Sequence, residues 1–193
     1  MKAIDSAGFE AMFRIDVDPW NYATSPFEAF KRRGLLQACG DRCRGRVLEL
    51  ACANGQTSLA LEPRALRLLA IDGSPTAVTE VRRRTRGLGR VAVRTAVLPG
   101  DMPNGPFDLI VVSELLYYLA PNALRVLLPR IASAAAPGGR VVLLHHHVSF
   151  ADAAQLPSLV HGQARVAFGR HFRETFRRRG SRYEAVAFDR QSC

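Results

Sequence analysis

Nowhere in the 193 residues does an apolar run reach the length needed to span a bilayer, so no membrane insertion is expected. The first residues also lack the basic-then-apolar order of a secretion signal, because Asp5, Glu10, Asp16 and Asp18 interrupt it, and a cytoplasmic location is the expectation. Cysteine is scarce. Cys39, Cys43, Cys52 and Cys193 show no paired zinc-site spacing, which excludes the common structural zinc patterns and leaves free thiols as the expectation. Lysine is scarcer still: only Lys2 and Lys31 stand among 27 basic residues, so arginine carries nearly all of the formal charge of +10. One arginine cluster covers Arg82, Arg83, Arg84, Arg86 and Arg90, and a second covers Arg177, Arg178, Arg179 and Arg182. Neither is interleaved with aromatic residues that could stack bases, so a solvated surface outweighs a nucleic-acid interface.

With 48% hydrophobic residues the chain can bury a full core, and its length suits one domain, residues 1–193. From residue 46 onward, apolar runs of strand length alternate with longer amphipathic segments, the pattern of an α/β fold with a doubly wound, mostly parallel sheet. Strands are predicted at residues 46–52, 66–72, 90–97, 107–112, 140–146 and 183–189, that at 183–189 running antiparallel, with another short one near 172–176. Helices are predicted at 56–61, at 75–86 with Ser74 as N-cap and Pro75 in first position, and at 121–135, ending before Pro137, Gly138 and Gly139. Ahead of the sheet, residues 1–45 read as a helical cover: two helices, 5–14 and 26–38, joined by a loop, VDPWNYATSPFE, that holds the only tryptophan, Trp20.

In an open parallel sheet, ligands bind beyond the carboxyl ends of the strands. After the first predicted strand comes ELACANG, residues 49–55, a turn of small residues that lets backbone approach a ligand closely. The second strand ends in Asp72-Gly73, an acid free to accept hydrogen bonds from a ribose diol. Together they indicate an adenosine cofactor. A dinucleotide would need G-x-G-x-x-G in the first turn, and ELACANG supplies a single glycine, Gly55.

Acid, turn and acid, followed by FDLIVVSELLYYL and APGGRVVLL, resemble the class I S-adenosylmethionine-dependent methyltransferases, a Rossmann-like family with seven strands. Within it, DPWNYATSPFE, LELACANG and VVSELLYYL in that order resemble the nodulation protein S group, over about residues 9–144. The resemblance implies methyl transfer from S-adenosyl-L-methionine to the amino group of a de-N-acetylated, chitin-type oligosaccharide. Carried onto this chain, it places Glu49, Ala51, Ala53 and Gly55 on the methionine and ribose side of the cofactor, Asp72 and Gly73 at the ribose, and Ser113 and Glu114 near the sulfonium, with Trp20 covering the cofactor. Two positions depart from the pattern. Ala51 replaces the turn's first glycine, tolerable if its φ stays negative, and Val97 stands where an Asp accepts from the adenine, leaving apolar contact and the Leu98 N–H for that base.

Methyl transfer from a sulfonium depends chiefly on alignment and on an unprotonated nucleophile. Glu114, Tyr117 and His145 are the candidates to take up the proton. Plainer readings stand beside these. Trp20 can plug the core, Tyr118 can be helix packing, and Glu28 with Lys31 can be an exposed helical pair. His145, His146 and His147 invite a metal, but no third ligand has an obvious source, so a polar pocket wall is expected; His161 and His171 read as surface residues. The rival functions are methylation of another small metabolite, or a basic nucleic-acid-binding or scaffold protein built on a degenerate methyltransferase fold. Oligomeric state is not encoded in any of these patterns.

Overall fold

The structure, a computed structural model, describes residues 3–192, so Lys2 and the fourth cysteine, Cys193, lie outside the described residues. Seven strands form one sheet: β1 (Arg44–Leu50), β2 (Ala65–Asp72), β3 (Val91–Thr95), β4 (Phe107–Ser113), β5 (Ala135–His146), β6 (Phe172–Arg179) and β7 (Tyr183–Arg190). Their order is β3-β2-β1-β4-β5-β7-β6. The first five run parallel, and β7 lies antiparallel to both β5 and β6. The register carries Leu50 opposite Ile71 and Val112, so the chain leaves β1, β2 and β4 at one level. That shared exit positions the site.

The helices are α1 (Ser6–Ile15), α2 (Pro26–Cys39), α3 (Gln56–Leu61), α4 (Pro75–Arg84), α5 (Pro121–Ala134) and α6 (Val160–Phe168). Side-chain caps start three of them: Asp5 accepts from Gly8 N, Ser25 from Glu28 N and Ser74 from Ala77 N, and proline occupies the first position of α2 and α4. At its other end α2 stops at Gly40, with φ of 80°. There the helix carbonyls of Leu36, Ala38 and Cys39 accept from Arg64, Arg140 and Arg44 respectively, cations set against the negative end of the dipole.

The strands' alternation splits the core. Leu48, Leu50, Ile110, Val112, Val141 and Leu143 face α5 and α6, while Val47, Leu109, Val111, Val142 and Leu144 face α2. A fully buried leucine such as Leu48 or Leu50 contributes about 1.5–3 kcal/mol by leaving water.

Several boundaries differ from the sequence expectation. β1 begins at Arg44 and stops at Leu50 rather than 52, because Ala51 takes φ of 56° and cannot continue a strand. β3 stops at Thr95, α4 at Arg84, and β5 reaches back to Ala135 across a register irregularity near Phe107. α6 had no counterpart in the sequence reading: Gly162 sits inside it and Val166 is exposed, which blurs the apolar period. The arginine clusters are largely engaged with the protein. Arg82 donates to Val93 O, Arg83 and Arg84 to Glu80, Arg177 to Glu184 and Arg178 to Gln37. Cys39, Cys43 and Cys52 are free thiols.

Candidate active site

A cavity of about 350 Å³ opens where β1, β2 and β4 end, within the range of small-molecule sites. Ala51, Ala53, Asp72, Gly73, Ser113 and Glu114 line its floor, and Ala96 and Leu98 one side. Phe9, Phe13, Trp20 and Tyr22, from the N-terminal segment, cover it. A smaller polar pocket adjoins it, sharing Tyr22, Ala51, Ala53, Ser113 and Glu114 and adding Glu28, Lys31, Arg32, Glu49 and Asn54.

The floor is held by Asp72. Its Oδ2 accepts from Ala53 N and its Oδ1 from Ser74 N, each at 2.9 Å, so one carboxylate ties the two turns together. Each oxygen keeps a further lone pair for a ligand. Burial pushes its pKa up, partly offset by those backbone donors. Glu49 lies behind the turn, buried on the face opposite Leu48 and Leu50, and accepts from Ser58 Oγ. Burial raises it to about 8. Beside it, buried Asn54 leaves its Nδ2 without a partner in the protein.

Three wall residues adopt the left-handed backbone region without being glycine: Ala51 at φ 56°, Ala53 at 48° and Glu114 at 53°. The condition for tolerating the extra methyl at Ala51, a negative φ, is therefore not met. The turn must reverse within the five residues between β1 and α3, and it brings the Ala53 amide to Asp72. Such conformations cost about 1–3 kcal/mol each and concentrate at functional sites. Gly55, with φ of 82°, is not on the cavity wall; a Cβ there would meet Val81 at 3.0 Å, so glycine serves close packing of the turn on α4.

Glu114 is the most densely contacted acid of the site. Lys31 Nζ lies 2.7 Å from its Oε1 and 3.0 Å from Glu28, His146 Nδ1 lies 3.0 Å from Oε1, His146 N donates to Oε2 at 3.2 Å, and Tyr117 OH also donates to Oε2. Burial alone would protonate Glu114, but the Lys31 charge and the His146 donors outweigh it and hold its pKa far below the usual carboxylate range. Lys31 is only 4% exposed, so the surface-pair reading of Glu28 and Lys31 is corrected. α2 turns that face inward against the ends of β4 and β5.

Trp20 stands over the cavity, with ring centroids 5.6 Å from Phe13, 6.2 Å from Phe9 and 5.4 Å from Tyr22. α1 is latched in place by Glu10, whose Oε2 accepts from Ser74 Oγ at 2.6 Å and Thr76 N at 3.2 Å, and whose Oε1 accepts from Thr76 Oγ1 at 2.8 Å. The Ser74 hydroxyl foremost, and then the Thr76 donors, hold Glu10 down at about 2.

Other expected site residues fall elsewhere. Val97 is 45% exposed, off the cavity wall, and its N–H donates to Asp101, because β3 has already ended. Tyr117 is buried, and both burial and the neighbouring Glu114 carboxylate push its phenol up, so it is a donor rather than a base. His145 is corrected from pocket wall to core: it reaches neither cavity, and both ring nitrogens are engaged, Nε2 by Leu116 N and Nδ1 by His161. His161 is buried too, not a surface residue, while His171 is exposed. Among the described residues no three His, Cys, Asp or Glu side chains gather as metal ligands. Sequence reasoning missed Lys31 and Tyr22 as site residues; their role depends on α2 and the N-terminal loop reaching Glu114, more than 80 residues away, which no local spacing records.

Comparison with known proteins gives a family and a fold. The family described as Nodulation protein S (NodS) matches residues 10–146. Nodulation protein S of Rhizobium tropici is 34% identical over 128 residues, covering 65% of this chain and 53% of that protein. The Bradyrhizobium diazoefficiens protein of the same name is 35% identical over 103 residues, covering 53% of this chain and 49% of its own length. The chain thus spans about half the length of the curated relatives it matches. The crystal structure of N-methyltransferase NodS from Bradyrhizobium japonicum WM9 in complex with S-adenosyl-L-homocysteine superposes with a TM-score of 0.78 at 22% identity, covering 94% of this chain and 97% of that one. The seven-stranded sheet is accordingly the class I methyltransferase fold, and on the family match through the end of β5 the chain belongs to the nodulation protein S family.

Proposed function

We propose that this protein is an S-adenosylmethionine-dependent N-methyltransferase whose acceptor is the amino group of a de-N-acetylated, chitin-type oligosaccharide. One observation carries the cofactor half of this reading: Asp72, with lone pairs to spare, stands at a strand end on the floor of a largely apolar cavity roofed by Trp20. The acceptor half rests on the relatives' names and on an N-methyltransferase among the solved structures.

In this reading Asp72 binds the ribose diol and Gly73 admits it closely. Ala96 and Leu98 pack against the adenine. Ala51 and Ala53 border the methionine portion, Glu49 and the unpartnered Asn54 Nδ2 face its amino and carboxylate ends, and Ser113 lies near the sulfur. S-adenosylmethionine, when bound, supplies an electrophilic methyl group that needs no further activation. The chain's contribution is alignment and exclusion of water, through the aromatic cover of Phe9, Phe13, Trp20 and Tyr22.

Glu114 is ionised and already neutralised by Lys31, so it orients donors rather than taking the proton. His146 lines neither cavity and its Nδ1 is held by Glu114, so it too serves to position that carboxylate. Calorimetric titration with S-adenosylhomocysteine tests the cofactor half; the absence of binding by folded protein would sink it, as would unchanged affinity in Asp72→Ala. Turnover of a chitosan oligomer against a panel of small amines and hydroxyl compounds tests the acceptor. Methylation of another small metabolite with no turnover of the oligomer would replace the proposed substrate.

A further inference from the structure

The methyl-transfer reading leaves unused one deeply buried polar chain. His145 on β5, His161 on α6 and Glu184 on β7 are each more than nine-tenths buried and lie in contact on the core side of the sheet. His145 Nε2 is 3.1 Å from Leu116 N. His145 Nδ1 is 3.0 Å from His161 Nε2, and His161 Nδ1 is 3.5 Å from Glu184 Oε2. The other Glu184 oxygen, Oε1, is held by Arg177 Nε at 2.6 Å and Arg165 at 3.3 Å.

Only one arrangement of hydrogens satisfies every link. A backbone N–H can only donate, so the Leu116 contact makes His145 Nε2 the bare nitrogen. Its hydrogen therefore sits on Nδ1 and points at His161 Nε2. That nitrogen must then accept, which puts the His161 hydrogen on Nδ1, toward Glu184. The carboxylate, an acceptor with two arginines behind it, matches that direction at the far end of the chain.

The end of the chain matters because of what Leu116 carries. It opens the short turn Leu116–Tyr118 that follows β4. Leu115, Tyr118 and Leu119 are on the cavity wall. Tyr117 donates to Glu114 and packs edge-on against the His145 ring at 5.5 Å. Tyr118 in turn meets Phe9 of the cover at 4.8 Å. The turn has no side-chain cap of its own, so the imidazole is the group that receives its buried first N–H.

We propose that Glu184, His161 and His145 form a positioning chain that fixes the His145 tautomer and through it the turn carrying the cofactor cavity's wall. His145 is thereby a positioning residue and not the proton acceptor. The proposal rests on the cofactor reading of the cavity, so its test includes a readout independent of ligand.

Long-range proton–nitrogen correlation in the full chain should find both imidazoles neutral with hydrogen on Nδ1, and Glu184→Gln, whose amide oxygen still accepts, should keep that arrangement. A hydrogen on His145 Nε2 overturns the proposal. His145→Gln keeps an acceptor that can reach Leu116 N, whereas His145→Asn reaches only the His161 side. The Gln variant should bind S-adenosylhomocysteine within about twofold of the native chain, and the Asn variant about tenfold more weakly, the size of one buried hydrogen bond. The Phe9–Tyr118 ring contact, followed by nuclear Overhauser effect without ligand, should persist in the Gln variant and fade in the Asn variant. Equal behaviour of the two folded variants overturns the proposal. If the native chain binds no S-adenosylhomocysteine, the cofactor reading falls instead, and the tautomers and the ring contact still decide the positioning chain.

Discussion

Replacing Lys31 with methionine isolates the buried charge cluster under the cavity. Lys31 Nζ lies 2.7 Å from Glu114 Oε1, an attraction of about 6 kcal/mol at an effective dielectric constant of ~20. The net loss is smaller, because Tyr117 and His146 still donate to Glu114 and the carboxylate can take up a proton instead. A buried pair broken on one side costs about 3–5 kcal/mol. For a chain of this length that is a fall of roughly 6–20 °C in Tm. The pH dependence supplies a sharper check. In the native protein Glu114 has a folded pKa below its unfolded value, so its contribution is present above about 4.5 and fades as the pH falls. In Lys31→Met, burial dominates and the shift reverses, so the deficit is largest at neutral pH and shrinks below about pH 4.5. Thermal unfolding followed by circular dichroism from pH 4 to 8 measures this, with Lys31→Met/Glu114→Gln as the control. The double variant should recover most of the loss, since Gln keeps acceptors for Tyr117 and His146 N. A single variant as stable as the native protein at pH 7.5, or a double variant no better than the single, would refute the reasoning.

Ala51→Gly should raise stability by about 1 kcal/mol, shifting Tm by roughly 2–4 °C in differential scanning calorimetry, because the strain at φ 56° exceeds the entropy glycine costs. Glu49→Gln should melt higher than the native chain at pH 8, with the gap closing toward pH 4.5; burial raises the Glu49 pKa to about 8, so the folded state resists an ionisation that the unfolded state completes near 4.5. His145 is displaced downward by burial, so its contribution is lost as pH falls below about 6.5, where the unfolded chain takes up the proton first; urea midpoints for the native chain and His145→Gln should converge below pH 6. The single indole should report ligand directly. Trp20 stands among Phe9, Phe13 and Tyr22 at the cavity, and unchanged fluorescence on saturation with S-adenosylhomocysteine would place it in the core alone.

What the sequence by itself determined is whatever repeats locally. Alternating apolar runs set the strands, Ser74-Pro75 set the start of α4, and the acids near two strand ends, Glu49 and Asp72, marked the exit where the cavity opens. These features depend on hydrogen bonds and burial within one element, so a short window contains them. The fate of the charges was different. Glu28 and Lys31 satisfy the spacing of a solvated helical pair, and only the packing of α2 on β4 and β5 turned them inward to Glu114. His161 and His145 are 16 residues apart and mean nothing as a pair until α6 lies beside β5. Even the backbone of Ala51 was decided from outside, by Asp72, which draws the turn's amide at Ala53 toward the end of the neighbouring strand. Local pattern tells which residues want to leave water; only the assembled sheet decides which polar groups are taken out of water with them, and against what.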